Sequence, residues 1–267
     1  MSTTTAPTLP PAGHLLREWR QRRKRSQMDL ALDAEVSTRH LSYVETGRAS
    51  ASREMLLRLA EHLDMPLRQR NLLLMAGGFA PHYPERPLQA PDMAAARGAV
   101  EAILKGHEPF PALAVDRHWH LLAANAALAP MMQGAAARLL EPPVNVLRLS
   151  LHPEGLAPRI ENLPEWRAHL LERLRMQVER SGDAELAALH AELAAYPCPA
   201  GPPTDTGGIA VPLRIRVPGQ ARALSFLSTT TVFGTPVDIT LAELALECFY
   251  PADGATRQAL TMEAQRP

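Results

Sequence analysis

The sequence predicts two domains of different class: an all-α bundle of five short helices over residues 14–80, and an α+β domain built on an antiparallel sheet over residues 92–253. Three observations lead there. Apolar residues recur at helical spacing from His14 to Ala80 with no strand-like alternation. The stretch 79–91, FAPHYPERPLQAP, holds four prolines and no helical period, as a linker does. Alternating and β-branched runs appear only after it. A chain of 267 residues fits this division, since domains most often hold about 100–150 residues.

Residues 1–13, MSTTTAPTLPPAG, read as a disordered lead-in, and residues 81–91 as the linker proper. Within the bundle, Pro66 and the pair Gly77-Gly78 mark breaks between helices. Residues 92–105 then read as an amphipathic helix. ALAVDRHWHLLAAN reads as a hairpin with arms at 112–115 and 119–123 around the polar turn Asp116-Arg117-His118. Asn125 is placed to cap a helix running to about Met132. Residues 163–194 give two helices separated near Ser181-Gly182-Asp183. After the proline-rich YPCPAGPPT, strands are expected at 209–217, 223–233, 237–240 and 244–250, leaving 254–267 as a tail. A hairpin, helices and then more strands, without regular βαβ alternation, suggests an antiparallel sheet with helices on one side.

The chain is formally neutral, but the charge is unevenly placed: residues 14–80 carry 12 Arg or Lys against 8 Asp or Glu, leaving 16 against 20 elsewhere. A basic head on an acidic body is expected where one domain meets phosphates. Cys198 and Cys248 stand alone, without a CxxC pair or Cys/His cluster, so neither a disulfide framework nor a zinc site is indicated and both are expected to be buried or inert thiols. The pair His118-x-His120 lacks a third ligand at fixed spacing, so no metal is expected. No long apolar run and no leader-like N-terminus is visible, so the expectation is a cytoplasmic protein, associated with the nucleoid in a bacterial cell and without membrane contact. GxSxG, HExxH, P-loop and GxGxxG motifs are all missing, which counts against an enzyme.

The segment SQMDLALDAEVSTRHLSYVETGR, residues 26–48, is the most informative. Ser26 and Ser37 each precede a short helical run, with Ala34-Glu35-Val36 as a tight turn between them, so the two helices form a helix-turn-helix. On the second helix Leu41 and Val44 fall on one side. Thr38, Arg39, Ser42, Tyr43 and Thr46 spread over the other. That free arc carries a guanidinium able to bridge guanine O6 and N7, with hydroxyls and an aromatic ring suited to phosphates, base edges and thymine methyls. Ser37 and Thr38 also sit where backbone amides and the positive helix end favour a phosphate. The basic run 17–25, Arg23 included, serves either as a solvated face or as a source of non-specific phosphate attraction.

These residues resemble the phage-repressor (XRE) family of helix-turn-helix proteins across residues 14–75, through Ser26-Gln27, Leu30-Ala31, Val36-Ser37, Leu41-Ser42, Val44-Glu45, Gly47-Arg48 and Leu59-Ala60. The resemblance implies that Gln27 touches a phosphate, that Thr38, Arg39 and Tyr43 face bases, and that Arg48 holds the DNA backbone. It also implies a buried structural pair between Arg20 and Glu45.

In the second domain PALAVDRHWHLLAANAA, NVLRLSLHPEG, ELAALHAELAAYP and LSTTTVFGTPVDITLAELALECFYPAD resemble the ligand-binding domain of MmyB-like transcription regulators. That resemblance implies a PAS-like fold and a small, largely apolar, fatty-acid-like ligand, with no other cofactor. Phe110, Trp119, Met131, Met132, Trp166, Phe226, Phe233 and Phe249 offer bulky apolar surface for a pocket, and would serve equally well as core. Arg148, His152 and Asn125 are the candidates for an acyl carboxylate, or else a surface ion pair and two caps. The whole reading is a regulator that binds double-stranded DNA as a homodimer and answers to a small-molecule effector. The alternatives are a second domain serving only dimerisation or protein docking, and an enzyme fused to a DNA-binding head.

Overall fold

The computed structural model describes residues 9–200 and 210–264. Most of the expected lead-in, and the start of the expected strand at 209, lie outside the described residues. The chain divides into two compact units, the first holding the residues up to Glu85 with the short segments Glu179–Ser181 and Val237–Ile239, the second the remainder from Arg86.

The first unit is helical throughout: α1 (Ala12–Arg22), α2 (Gln27–Asp33), α3 (Thr38–Glu45), α4 (Arg53–His62) and α5 (Leu67–Ala76). Serine hydroxyls start three of them. Ser26 accepts from Asp29 N, Ser37 from His40 N and Ser52 from Met55 N, each satisfying a first-turn amide that the helix itself cannot. Lys24, Glu35 and Asp64 end helices in left-handed conformation, with φ of 53°, 53° and 46°. The chain turns back at once, as when Val36 N returns to Ala31 O at 2.9 Å.

Leu16, Trp19, Leu30, Leu41, Leu56, Leu59 and Leu73 form the core of this unit. The closest approach falls at Gly13, where an added Cβ would stand 2.0 Å from the Val44 carbonyl. Only glycine lets α1 lie that close to α3. The expected linker is half fastened to this unit. Buried Asn71 on α5 accepts from the backbone amides of His82 and Tyr83 and donates to the Tyr83 carbonyl.

The second unit holds a five-stranded, wholly antiparallel sheet in the order β2-β1-β5-β4-β3. The strands are β1 (Ala112–Val115), β2 (Leu121–Ala124), β3 (Leu213–Ile215), β4 (Leu224–Val232) and β5 (Ala245–Pro251). Its helices are α6 (Ala94–Gly106), α7 (Ala129–Met132), α8 (Val146–Leu151), α9 (Leu163–Ser181), α10 (Ala184–Ala195), α11 (Ile239–Glu243) and α12 (Gly254–Ala264). This is the α+β, PAS-like architecture the sequence predicted.

Three details differ from expectation. Helices cover both faces of the sheet rather than one. Ala112, Ala114, Leu246 and Cys248 pack under α6 with Val100 and Leu104, whereas Leu113, Val115 and Phe249 face the larger core with α7 to α10. Strand alternation produces this division, and β1 is accordingly buried at all four positions. Second, residues 237–240 form no strand. They lie in the connection between antiparallel neighbours β4 and β5, where Val237 is exposed and Ile239 begins α11. Third, most of the expected tail is α12, which packs on β4 and β5.

Candidate DNA-reading helix and effector cavity

The exposed arc of α3 lies where its helical period places it. Thr38 and Arg39 are exposed, Ser42 and Tyr43 half-buried, and Leu41 and Val44 buried. The Arg39 Nε donates to the Tyr43 hydroxyl at 3.1 Å, with the guanidinium 5.4 Å from the ring centre. This (i, i+4) contact holds both side chains on the outer face. Ser37 caps the helix at its exposed end, and Arg48 is exposed after Gly47, whose φ of 73° glycine tolerates.

Behind this face a buried network fixes the helix. The Arg20 Nε and Nη2 donate to the two Glu45 oxygens at 2.7 and 2.8 Å, and Gln27 Nε2 donates to Glu45 at 2.8 Å. The Arg20 guanidinium is held above its ordinary range by the hydrogen bonds to Glu45. Three helices therefore meet at one carboxylate. Gln27, expected at a phosphate, spends its amide on this scaffold. Arg23 is committed in the same way: Nε and Nη2 donate to the carbonyls of Leu63 and Asp64, both at 2.8 Å. Those carbonyls close α4, so Arg23 caps a helix end. Neither contact was visible in the sequence, because both join residues 18 or more positions apart.

In the second unit a cavity of about 80 Å³ lies between the sheet and helices α7 to α9. Trp119, Met131, Met132, Trp166 and Phe249, five of the expected residues, line it. Phe226 is fully buried and packs edge-on to Phe249 behind the wall, with ring centres 6.3 Å apart. Phe110 lies half-buried under the Arg257 guanidinium and lines neither cavity. Trp119 adopts φ 68°, an outlier for a bulky residue of the kind held in place only where the surroundings dictate it. Its indole donates to Gln177, and Arg173 lies 4.6 Å above its ring.

The polar candidates are engaged elsewhere. Buried Asn125 caps no helix. Its amide accepts from Ala112 N and donates to the carbonyls of Leu104 and Phe110, clamping α6 to β1. Arg148 forms a forked pair with Glu192, and His152 Nδ1 accepts from Glu154 N. The cavity's own polar residues are Arg173, Glu247, Ser150 and Ser228, which the sequence reading missed. Arg173 and Glu247 are 74 positions apart, and only the sheet and α9 bring them together. A second, more open cleft of about 510 Å³ is lined by Pro130, Val217, Leu224 and Leu260. Met131 lines both spaces.

An exposed recognition arc on a helix-turn-helix, and a separate α+β unit with an apolar cavity, define a DNA-binding transcription regulator with a ligand-binding domain. The comparisons with known families agree. Residues 12–73 match a family described as a helix-turn-helix domain. Residues 96–262 match the MmyB-like transcription regulator ligand binding domain. The chain belongs to this MmyB-like regulator family, and its domains are those of a regulator rather than an enzyme. No curated protein matches the chain. Among the described residues no helix is long and apolar enough to cross a membrane.

Proposed function

We propose that the protein binds a pseudo-palindromic operator as a homodimer, that Thr38, Arg39, Ser42 and Tyr43 read bases, and that the start of α3 with Ser37, together with Arg48, holds phosphates. Supporting this reading is the outward arc on α3, whose opposite side and buried Glu45 are locked into the bundle. Arg23 and Gln27 act as scaffold. The second unit senses a small, largely apolar, fatty-acid-like ligand in the cavity walled by Trp119, Trp166 and Met131. Residues 14–80 serve as the DNA-binding domain and 92–253, extended by α12, as the sensor. A dimer presents two reading helices, and half-sites must then lie about 34–36 Å apart on the DNA.

Selection of bound genomic fragments tests the first part. An enriched inverted repeat is expected, and enrichment without sequence preference would contradict it. Native mass spectrometry of the purified chain tests the second. A retained small molecule supports sensing, and a domain that only dimerises or docks a partner retains none.

A further inference from the structure

The smaller cavity is lined by apolar side chains apart from Arg173, Glu247, Ser150 and Ser228. The guanidinium donates to both Glu247 oxygens, at 2.9 and 2.5 Å, and to Thr230 Oγ1 at 2.7 Å. Thr230 donates in turn to Glu247 at 3.0 Å. The Glu247 side chain is only 5% exposed, so the carboxylate depends on this pairing. The cation is therefore already neutralised. Burial, and then Arg173, hold the imidazole of the neighbouring His169 below its ordinary range.

What remains free in the lining is a set of donors. The Nε–H and the second Nη1–H of Arg173 meet no acceptor among the described residues. Ser150 accepts from the Trp166 indole at 3.1 Å, leaving its own proton to give. Ser228 lines the cavity with a hydroxyl that has no protein partner among the described residues. A bare anion placed here would bring a second negative charge beside the buried Glu247 with no further cation to balance it, a cost that partial burial raises. A neutral acceptor satisfies the same donors without that cost.

We propose that the effector enters the smaller cavity with a neutral carbonyl group, as in an ester, lactone or amide of an alkyl chain, and that Arg173, held by Glu247, and Ser228 select it against a free carboxylate. The inference rests on the sensing reading above and narrows its fatty-acid-like ligand to a neutral acyl derivative rather than the free acid. At about 80 Å³ the cavity takes only the carbonyl end. The alkyl chain continues past the flexible Met131 thioether into the cleft of about 510 Å³.

The test is calorimetric titration of the full chain, at neutral pH, with methyl octanoate and with octanoate. The ester is expected to bind roughly tenfold more tightly or better, the order set by burying an unbalanced charge. Glu247→Gln frees the Arg173 charge and should reverse the preference. Should that variant fail to fold, Ser228→Ala, which removes one hydroxyl, should weaken the ester several-fold. Octanoate binding as tightly as the ester would overturn the inference while leaving effector sensing intact. Binding of neither probe would overturn the sensing reading of this cavity and the inference with it.

Discussion

Arg39 sits on the outer face of α3 with its guanidinium steadied by Tyr43, and the proposed function gives it the role of reading a base. Arg39→Ala should cost roughly 1–3 kcal/mol in operator binding and relax preference at one base position. Equal weakening across all sequences, in a binding titration, would place it on phosphate. Arg23 has a different fate. Because it closes α4, Arg23→Ala should lower the melting temperature and leave the salt dependence of DNA binding unchanged. A slope reduced by about one would return it to the phosphate contacts. Glu45 is buried and holds both Arg20 and Gln27, so Glu45→Gln, read by thermal denaturation, should destabilise by roughly 3–5 kcal/mol, the cost of stranding a buried cation.

At the scale of elements, much was legible. Helix period and serine caps located α2 and α3, because both signals are local in sequence. The hairpin of β1 and β2 announced itself through its polar turn, where Asp116 Oδ1 accepts from the amides of His118 and His120. What escaped was non-local. Asn125 read as a cap because its neighbours begin a helical run, yet its amide is spent on three backbone groups from two other segments. The 237–240 segment carried strand propensity, but the sheet order left it in the connection between β4 and β5.

The pairing of α8 with α10 gives a pH prediction. Hydrogen bonds from Arg148 hold the Glu192 carboxyl below the ordinary glutamate range, against the cost of burial. Burial, and then the bond to Glu192, push the Tyr196 hydroxyl up to about 12. A carboxyl with a lowered folded pKa contributes stability above its unfolded value, and loses it as pH falls through the folded one. Melting temperatures of the native chain should therefore drop more steeply in acid, below pH of about 4, than those of Glu192→Gln. Parallel acid profiles would remove Glu192 from the account.

At the scale of the whole molecule, the two units carry separate tasks, and regulation requires that one bias the other. Such coupling has a typical size of about 1–3 kcal/mol, or roughly 5- to 150-fold in affinity. In the proposed homodimer it needs no large movement, since a small reorientation of two reading helices would spoil their register on half-sites. Charge placement fits the division, with the excess of basic residues confined to the helical bundle. The separation into bundle and sheet was readable from the proline-rich break, and part of the cavity's apolar lining from its bulky side chains, whereas its polar groups were not. Those polar groups come from α8, α9, β4 and β5, four elements with no common sequence pattern.

The central claim is that cavity occupancy changes DNA reading. It is tested most directly by titrating the full chain onto its selected operator, with and without saturating methyl octanoate, at fixed salt. The account predicts midpoints at least about fivefold apart. Superimposable isotherms, with calorimetry showing the ester bound, would contradict it.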